Sequence, residues 1–156
     1  MRHEKPKSIA IFGYNPKSQP RVFKKGQIMK ILIVDDEYVS RKKAEKLLSE
    51  FGDCDVATDG IEAYEMFVQA HQEDNPYDLI TMDIVMPDMD GISALKNIRE
   101  FEKSNKITYR KGVKIIMLTM ADDSDTMFSS FYELCGAYIV KPITKEKLVN
   151  AINQLE

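Results

Sequence analysis

Ile31-Leu32-Ile33-Val34 runs straight into Asp35-Asp36, and Leu79-Ile80-Thr81-Met82 runs straight into Asp83. These two nearly unbroken apolar runs, each ending on acid, constrain the fold more than any other feature of the chain. A run without polar alternation is buried on both faces, the condition of a strand inside a parallel sheet covered by helices on either side. In such sheets ligands gather in the crevice at the carboxyl ends of the strands, so both runs deliver carboxylates to the edge where chemistry is usually done.

Each run is followed by a helical period. After Asp36 the spacing of Ala44, Leu47, Leu48 and Phe51 predicts a helix over about 39–51, stopped by Gly52. Asp55-Val56-Ala57 reads as a short strand, and Thr58-Asp59-Gly60 turns into a helix carrying Ile61, Ala63, Tyr64, Phe67 and Val68 that fades into a polar loop, His71 to Pro76. Beyond Asp83, Pro87 and Asp90-Gly91 close a loop before a helix over about 92–103. A polar link, Ser104 to Gly112, leads to a fourth strand, Val113 to Leu118, that ends on Thr119. Asp122 to Leu134 reads as a helix opened by acids, Ala137 to Val140 as a fifth strand ending on Lys141-Pro142, and Thr144 as the cap of a last helix with Leu148, Val149, Ile152 and Leu155. Five strands and five helices in strict alternation predict a three-layer α/β domain with right-handed crossovers.

Composition narrows the class. A chain of 156 residues, 44% hydrophobic and 30% charged, suits one globular domain with a real core. Cys54 and Cys135 form neither a disulfide framework nor a metal-ligand spacing, so reduced thiols and a cytoplasmic address are expected. The longest apolar run, Ile115 to Leu118, is too short to cross a bilayer, and no signal-peptide core precedes it; no membrane role is expected. Residues 1–28 hold seven basic side chains and one acid, whereas the remainder holds 15 basic and 24 acidic. A basic extension, largely flexible apart from the short apolar run Ile9 to Phe12, therefore precedes an acidic domain of residues 29–156. Without a folded motif the seven charges do not make a nucleic-acid site. His3 and His71 lack partners at ligand spacing and are expected at the surface; Met66, Met82, Met86, Met117, Met120 and Met127 are expected as core and loop filler.

Four of the five strands thus deliver polar residues to one edge: Asp35 with Asp36, Asp83, Thr119 and Lys141. Three carboxylates in one crevice either take up protons or bind a cation, and an oxygen-only set favours a hard ion such as Mg²⁺. A facing lysine balances charge or holds a phosphoryl oxygen, and a threonine hydroxyl adds one hydrogen bond. Asp83, on the central strand, is then the carboxylate placed to attack phosphorus and form an aspartyl phosphate.

The motifs LIVDDE (32–37), DIVMPDMDG (83–91), LT (118–119) and YIVKPI (138–143), in that order over roughly residues 29–156, resemble those of the receiver domain of bacterial two-component response regulators, the chemotaxis receivers among them. The resemblance implies a flavodoxin-like (βα)5 doubly wound parallel sheet of strand order 2-1-3-4-5. It makes Asp83 the phosphoacceptor, Asp36 a direct Mg²⁺ ligand, Asp35 a ligand acting chiefly through a metal-bound water, and the backbone carbonyl of Val85 the remaining protein donor, with Mn²⁺ as the alternative ion. Lys141 binds the phosphoryl group, Thr119 is the hydroxyl that swings onto it, Tyr138 is the aromatic switch that turns inward, and Pro142 follows the lysine, often through a cis bond. Output is a population shift of the face formed by the fourth helix, fifth strand and fifth helix, which is also the expected homodimer face. The implied donor is a histidine kinase or a histidine phosphotransfer protein, and the implied listener is a further protein that the residues do not name.

The chain departs from the family pattern in three places. Met120 stands where a small residue is usual, Gly136-Ala137 lies directly before Tyr138 rather than two residues further upstream, and the link Ser104 to Gly112 is longer than usual. The leading expectation is a stand-alone phosphorylation switch and not an enzyme beyond its own phosphorylation and slow dephosphorylation. The alternatives are a phosphate-independent adaptor of the same fold and a phosphorelay intermediate. A phosphatase turning over through the aspartyl phosphate would place an acid two residues after the nucleophile, where this chain has Val85. Val85 and Ala121 also leave no group to orient water, so a long-lived phosphoryl state is expected.

Overall fold

The structure, a computed structural model, describes residues 27–120 and 125–155. The expected basic extension, save its last two residues, lies outside these, as do Ala121 and the acids Asp122 and Asp123. The apolar runs form a five-stranded parallel sheet of order β2-β1-β3-β4-β5, with β1 at Met29–Val34, β2 at Gly52–Ala57, β3 at Leu79–Asp83, β4 at Lys114–Thr119 and β5 at Ala137–Val140. Between and after them come α1 (Tyr38–Leu48), α2 (Gly60–Gln72), α3 (Gly91–Ser104), α4 (Asp125–Ser129) and α5 (Lys145–Gln154).

Strand periodicity sorts the core into two halves. Ile31 and Ile33 point with Leu79, Ile116 and Ile139 into one layer, where Ala44 and Leu48 of α1 and Leu148 and Ile152 of α5 close over them. Leu32, Val34 and Ile80 point the other way, against Phe67 of α2 and Leu95 and Ile98 of α3. Burying one such side chain is worth about 1.5–3 kcal/mol, so the central strands, sealed on both faces, are where most of the stability resides. Because the helices lie on the faces, the ends of the strands are the parts of the sheet that the described helices leave uncovered.

Three helices begin on side-chain caps. Asp59 accepts from the Glu62 amide at 2.8 Å, while the Glu62 carboxylate reaches back past the cap to the Thr58 amide at 2.7 Å and hydroxyl at 2.8 Å; Asp90 accepts from the Ser93 amide and Thr144 from the Lys147 amide. The expected boundaries shift in four places. The first helix ends at Leu48 on a Ser49 cap, and Gly52 opens β2 in register with Met29 instead of stopping the helix. The second helix continues to Gln72, so His71, expected at the surface, is instead 7% exposed, its ring edge-on to Phe67 and tilted against Phe101. An aromatic helix neighbour four residues back and a facing phenylalanine give the imidazole an apolar bed that polar neighbours in sequence conceal. Among the six methionines expected as filler, Met82, Met86 and Met117 are buried but Met120 is exposed.

The fourth shift is the largest. The helix expected to reach Leu134 is regular only over Asp125–Ser129, and the chain then descends to Gly136 through tight turns, Ser130 N to Met127 O and Phe131 N to Phe128 O among them. At the foot of this descent Arg99 Nε donates to the Leu134 carbonyl at 2.9 Å and Tyr109 Oη to the Cys135 carbonyl at 2.8 Å, which satisfies terminal carbonyls that have no helical partner. No helix among the described residues is long and apolar enough to cross a membrane.

Candidate functional site

All polar residues expected at the carboxyl edge of the sheet arrive there. Asp35 follows β1 directly, Asp83 ends β3, Thr119 ends β4 and Lys141 follows β5. Asp35 is 1% exposed, and its Oδ1 accepts from the Glu37 amide at 2.9 Å while its carbonyl takes Arg41 Nη1 at 2.9 Å. Arg41 escaped the sequence reading; nothing in a helical arginine marks it as a brace for a loop carbonyl six residues back. Asp36 is exposed beside them, and one carboxylate oxygen from each of Asp35, Asp36 and Asp83 falls within 4.8 Å of the others.

Lys141 reaches in from the opposite side of the crevice, its Nζ 3.4 Å from Asp35 Oδ2 and 3.3 Å from Asp83 Oδ2. One ammonium against three carboxylates leaves the ionised cluster with an excess of negative charge, and the titration tendencies register it. Burial raises the Asp83 pKa, the neighbouring charges of Asp35 and Asp36 raise it further, and Lys141 pulls against them. For Lys141 burial alone would lower the pKa, but Asp83 and Asp35 outweigh it and the ammonium form is held. The donor set fits a divalent cation: it is all oxygen, it carries uncompensated charge, and its spread is close to the about 4 Å between opposite ligands across Mg²⁺–O bonds of about 2.1 Å.

The loop from Ile84 to Asp90 is folded back over the site. The Gly91 amide donates to the Ile84 carbonyl at 2.8 Å, and a Cβ at Gly91 would collide with the Asp83 carbonyl oxygen, so only glycine lets α3 start this close to the acid. Val85 is 62% exposed on this loop. Thr119 is buried with its hydroxyl at a long 3.4 Å from the Ile139 carbonyl, a weak bond that leaves the group ready to exchange partners. The Lys141-Pro142 peptide is cis. Tyr138 is 41% exposed and faces outward, its ring edge-on to Phe128 at 4.7 Å between centroids. Met120 lines, with Asp35, Leu118, Lys141 and Ile143, an open-sided cavity of about 350 Å³ next to the carboxylates.

A doubly wound parallel sheet with an acidic trio, a lysine and a hydroxyl at its carboxyl edge defines a phosphoryl-accepting signalling module. The chain belongs to the response regulator receiver domain family, whose model matches residues 31–153. It is similar to the chemotaxis protein CheY of Halobacterium salinarum, 36% identical over 126 residues that make up 80% of this chain and 94% of that protein. Among solved structures it resembles a CheX-CheY-BeF3-Mg complex from Borrelia burgdorferi, at 31% identity and TM-score 0.66, covering 86% of this chain and 95% of that one. It also resembles the co-crystal of the Saccharomyces cerevisiae histidine phosphotransfer signaling protein Ypd1 with the receiver domain of the response regulator Ssk1, at 27% identity and TM-score 0.67, covering 81% and 87%. Receiver domains are signalling proteins of two-component phosphorelays, they accept phosphoryl groups, and they bind Mg²⁺ at an acidic cluster.

Proposed function

We propose that residues 29–156 form a response regulator receiver that takes a phosphoryl group from a phosphohistidine donor onto Asp83, in the cytoplasm. The observation that carries the reading is the joint geometry of Asp83 and Lys141: a buried carboxylate at the end of the central strand with an ammonium 3.3 Å away. An Asp83 oxygen attacks phosphorus in line; the O–P bond forms as the P–N bond to the donor imidazole breaks, and the departing electron pair is quenched by a proton on that imidazole. Lys141 holds a phosphoryl oxygen, exchanging Asp83 for its phosphate. Asp35, Asp36, Asp83 and the Val85 carbonyl would hold Mg²⁺, which when bound offsets the charge of the acids and of the incoming phosphate. Thr119 then turns its hydroxyl from the Ile139 carbonyl to the phosphoryl group, and the room this opens lets Tyr138 turn inward, shifting the face of α4, β5 and α5 towards a partner protein or a second copy. Exposed Val85, with no general acid at its position, supports slow hydrolysis of the acyl phosphate. Half-exposed Met120 stands at the mouth of the crevice and slows small donors.

The test is intact mass after incubation with acetyl phosphate and Mg²⁺. A gain of about 80 Da, one phosphoryl group, that is lost with EDTA and in Asp83→Asn is the expected result. No gain with acetyl phosphate, with a phosphohistidine protein or with beryllofluoride would instead leave a phosphate-independent adaptor.

A further inference from the structure

The long link between α3 and β4 ends in a buried polar network at the opposite edge of the sheet from Asp83. Glu102, on the last turn of α3, is 2% exposed; its carboxylate accepts from the Val113 amide at 2.7 Å and from Arg99 Nη1 at 2.8 Å. A Cβ at Gly112 would stand 2.5 Å from both Glu102 oxygens, so a larger residue there would have to push this carboxylate aside. Arg99 also donates from Nη1 to the Val113 carbonyl at 2.8 Å and from Nε to the Leu134 carbonyl at 2.9 Å, and its guanidinium lies 4.9 Å from the ring centroid of Tyr109. Tyr109, from the middle of the link, completes the circuit by donating to the Cys135 carbonyl. Leu134 and Cys135 end the irregular descent from α4, and two residues later β5 begins the strand that carries Tyr138.

We propose that Arg99 and Tyr109 form a clasp that selects the outward arrangement of Tyr138, so that the link from 104 to 112 sets the resting bias of the switch. The clasp grips two carbonyls at the end of the segment from Phe128 to Gly136, directly before β5. Phe128, the ring against which Tyr138 rests, begins that segment and is in edge contact with Phe131 as well. An interaction made in one state and lost in the other biases the equilibrium by its differential strength, and by linkage it opposes whatever ligand favours the second state. Arg99 and Tyr109 are positioning residues: neither touches the acidic crevice. The reading rests on the receiver function proposed above for its consequence, but not for its geometry.

The experiment compares the full chain with Tyr109→Phe, which removes one hydroxyl, and Arg99→Lys, which keeps the charge but not the fork of donors. Amide hydrogen exchange by NMR, without any phosphoryl mimic, reads the clasp itself. Faster exchange at Gly136 and Tyr138 with β3 unchanged is expected, and unchanged exchange at both overturns the proposal. Beryllofluoride binding in Mg²⁺ reads the bias: affinity should rise about 3–10-fold in both variants, since the opposing interaction is weakened. Equal or weaker affinity would make the network merely structural. If the unmodified chain takes up no beryllofluoride, the receiver function fails while the exchange measurement still decides whether the clasp holds this segment.

Discussion

The two edges of the sheet each bury carboxylate against a cation, and they do so in opposite ways. At the amino edge Glu102 meets one guanidinium at 2.8 Å and takes the Val113 amide, the same guanidinium donates to the Val113 and Leu134 carbonyls, and the buried Asp78 takes the Lys30 amide. At the carboxyl edge three carboxylates share one lysine at 3.3–3.4 Å. A buried pair that is fully hydrogen-bonded locks local structure and has nothing left to offer a ligand. A cluster left short of positive charge holds binding capacity in reserve. The lesson is that stoichiometry and satisfaction, rather than burial of charge, separate the site from the scaffold.

The sharpest way to break this contrast is to unbalance the satisfied edge. Arg99→Met should lower unfolding stability by about 3–5 kcal/mol in a denaturant titration, because Glu102 is left charged and enclosed. A loss below about 1 kcal/mol would mean that water replaces the guanidinium. Acid offers a second probe of the same edge, where His71 shares a small cavity with Asp78, Glu102 and Lys114. Burial holds the His71 pKa down at about 4 against 6.5 for a free imidazole. The unfolded chain therefore takes the proton first, and this contribution to stability is complete above pH 6.5 and drains away as pH falls towards 4. The ceiling is about 3 kcal/mol, and His71→Phe should flatten the slope over that window.

At the other edge the signs invert. Saturating Mg²⁺, at about 100 times its dissociation constant, should stabilise the chain by about 2.7 kcal/mol in thermal melts and leave an Asp35→Asn, Asp36→Asn double variant unmoved. Without metal, Asp83→Asn should raise the melting temperature by a few degrees, since it removes a carboxylate whose ionised form burial disfavours. A fall in melting temperature would show that the Lys141 contact outweighs the repulsion. Smallest of all, Met120→Ala should speed acetyl phosphate labelling about threefold, less than 1 kcal/mol in the barrier, and equal rates would clear Met120 of any role at the crevice mouth.

The contrast also explains which parts of the molecule were legible in the sequence. Strands sealed on both faces must be apolar, and a functional edge must interrupt them with acid, hydroxyl or lysine, so β1, β3 and β4 announced where they end, although β1 begins two residues before its apolar run; β5 was legible over Ala137–Val140 even though Tyr138 is left 41% exposed. The cap at Thr144 was visible because a cap is a local bond between near neighbours, whereas Asp59 and Asp90 read only as turn residues before their helices. The amino-edge network was not, since Arg99 reaches carbonyls 14 and 35 residues away and carbonyls leave no trace in side-chain identity. The end of α4 was hidden as well: regular helix stops at Ser129 and the chain continues through tight turns to Gly136, although its acids and aromatics keep a helical spacing. His71 was misplaced for a related reason: half of its apolar bed, Phe101, comes from a different helix.

The placement of the two ends of the described domain has a consequence for modular construction. Met29 enters at the amino end of β1, and Leu155 comes to rest against Gly136, whose amide is bonded to Ile115 at the start of β4. Both attachment points therefore sit on the side of the sheet remote from Asp83. A reporter or a foreign domain spliced on at either point would hang beneath the sheet like cargo under a deck, leaving the approach to the acidic crevice open from above.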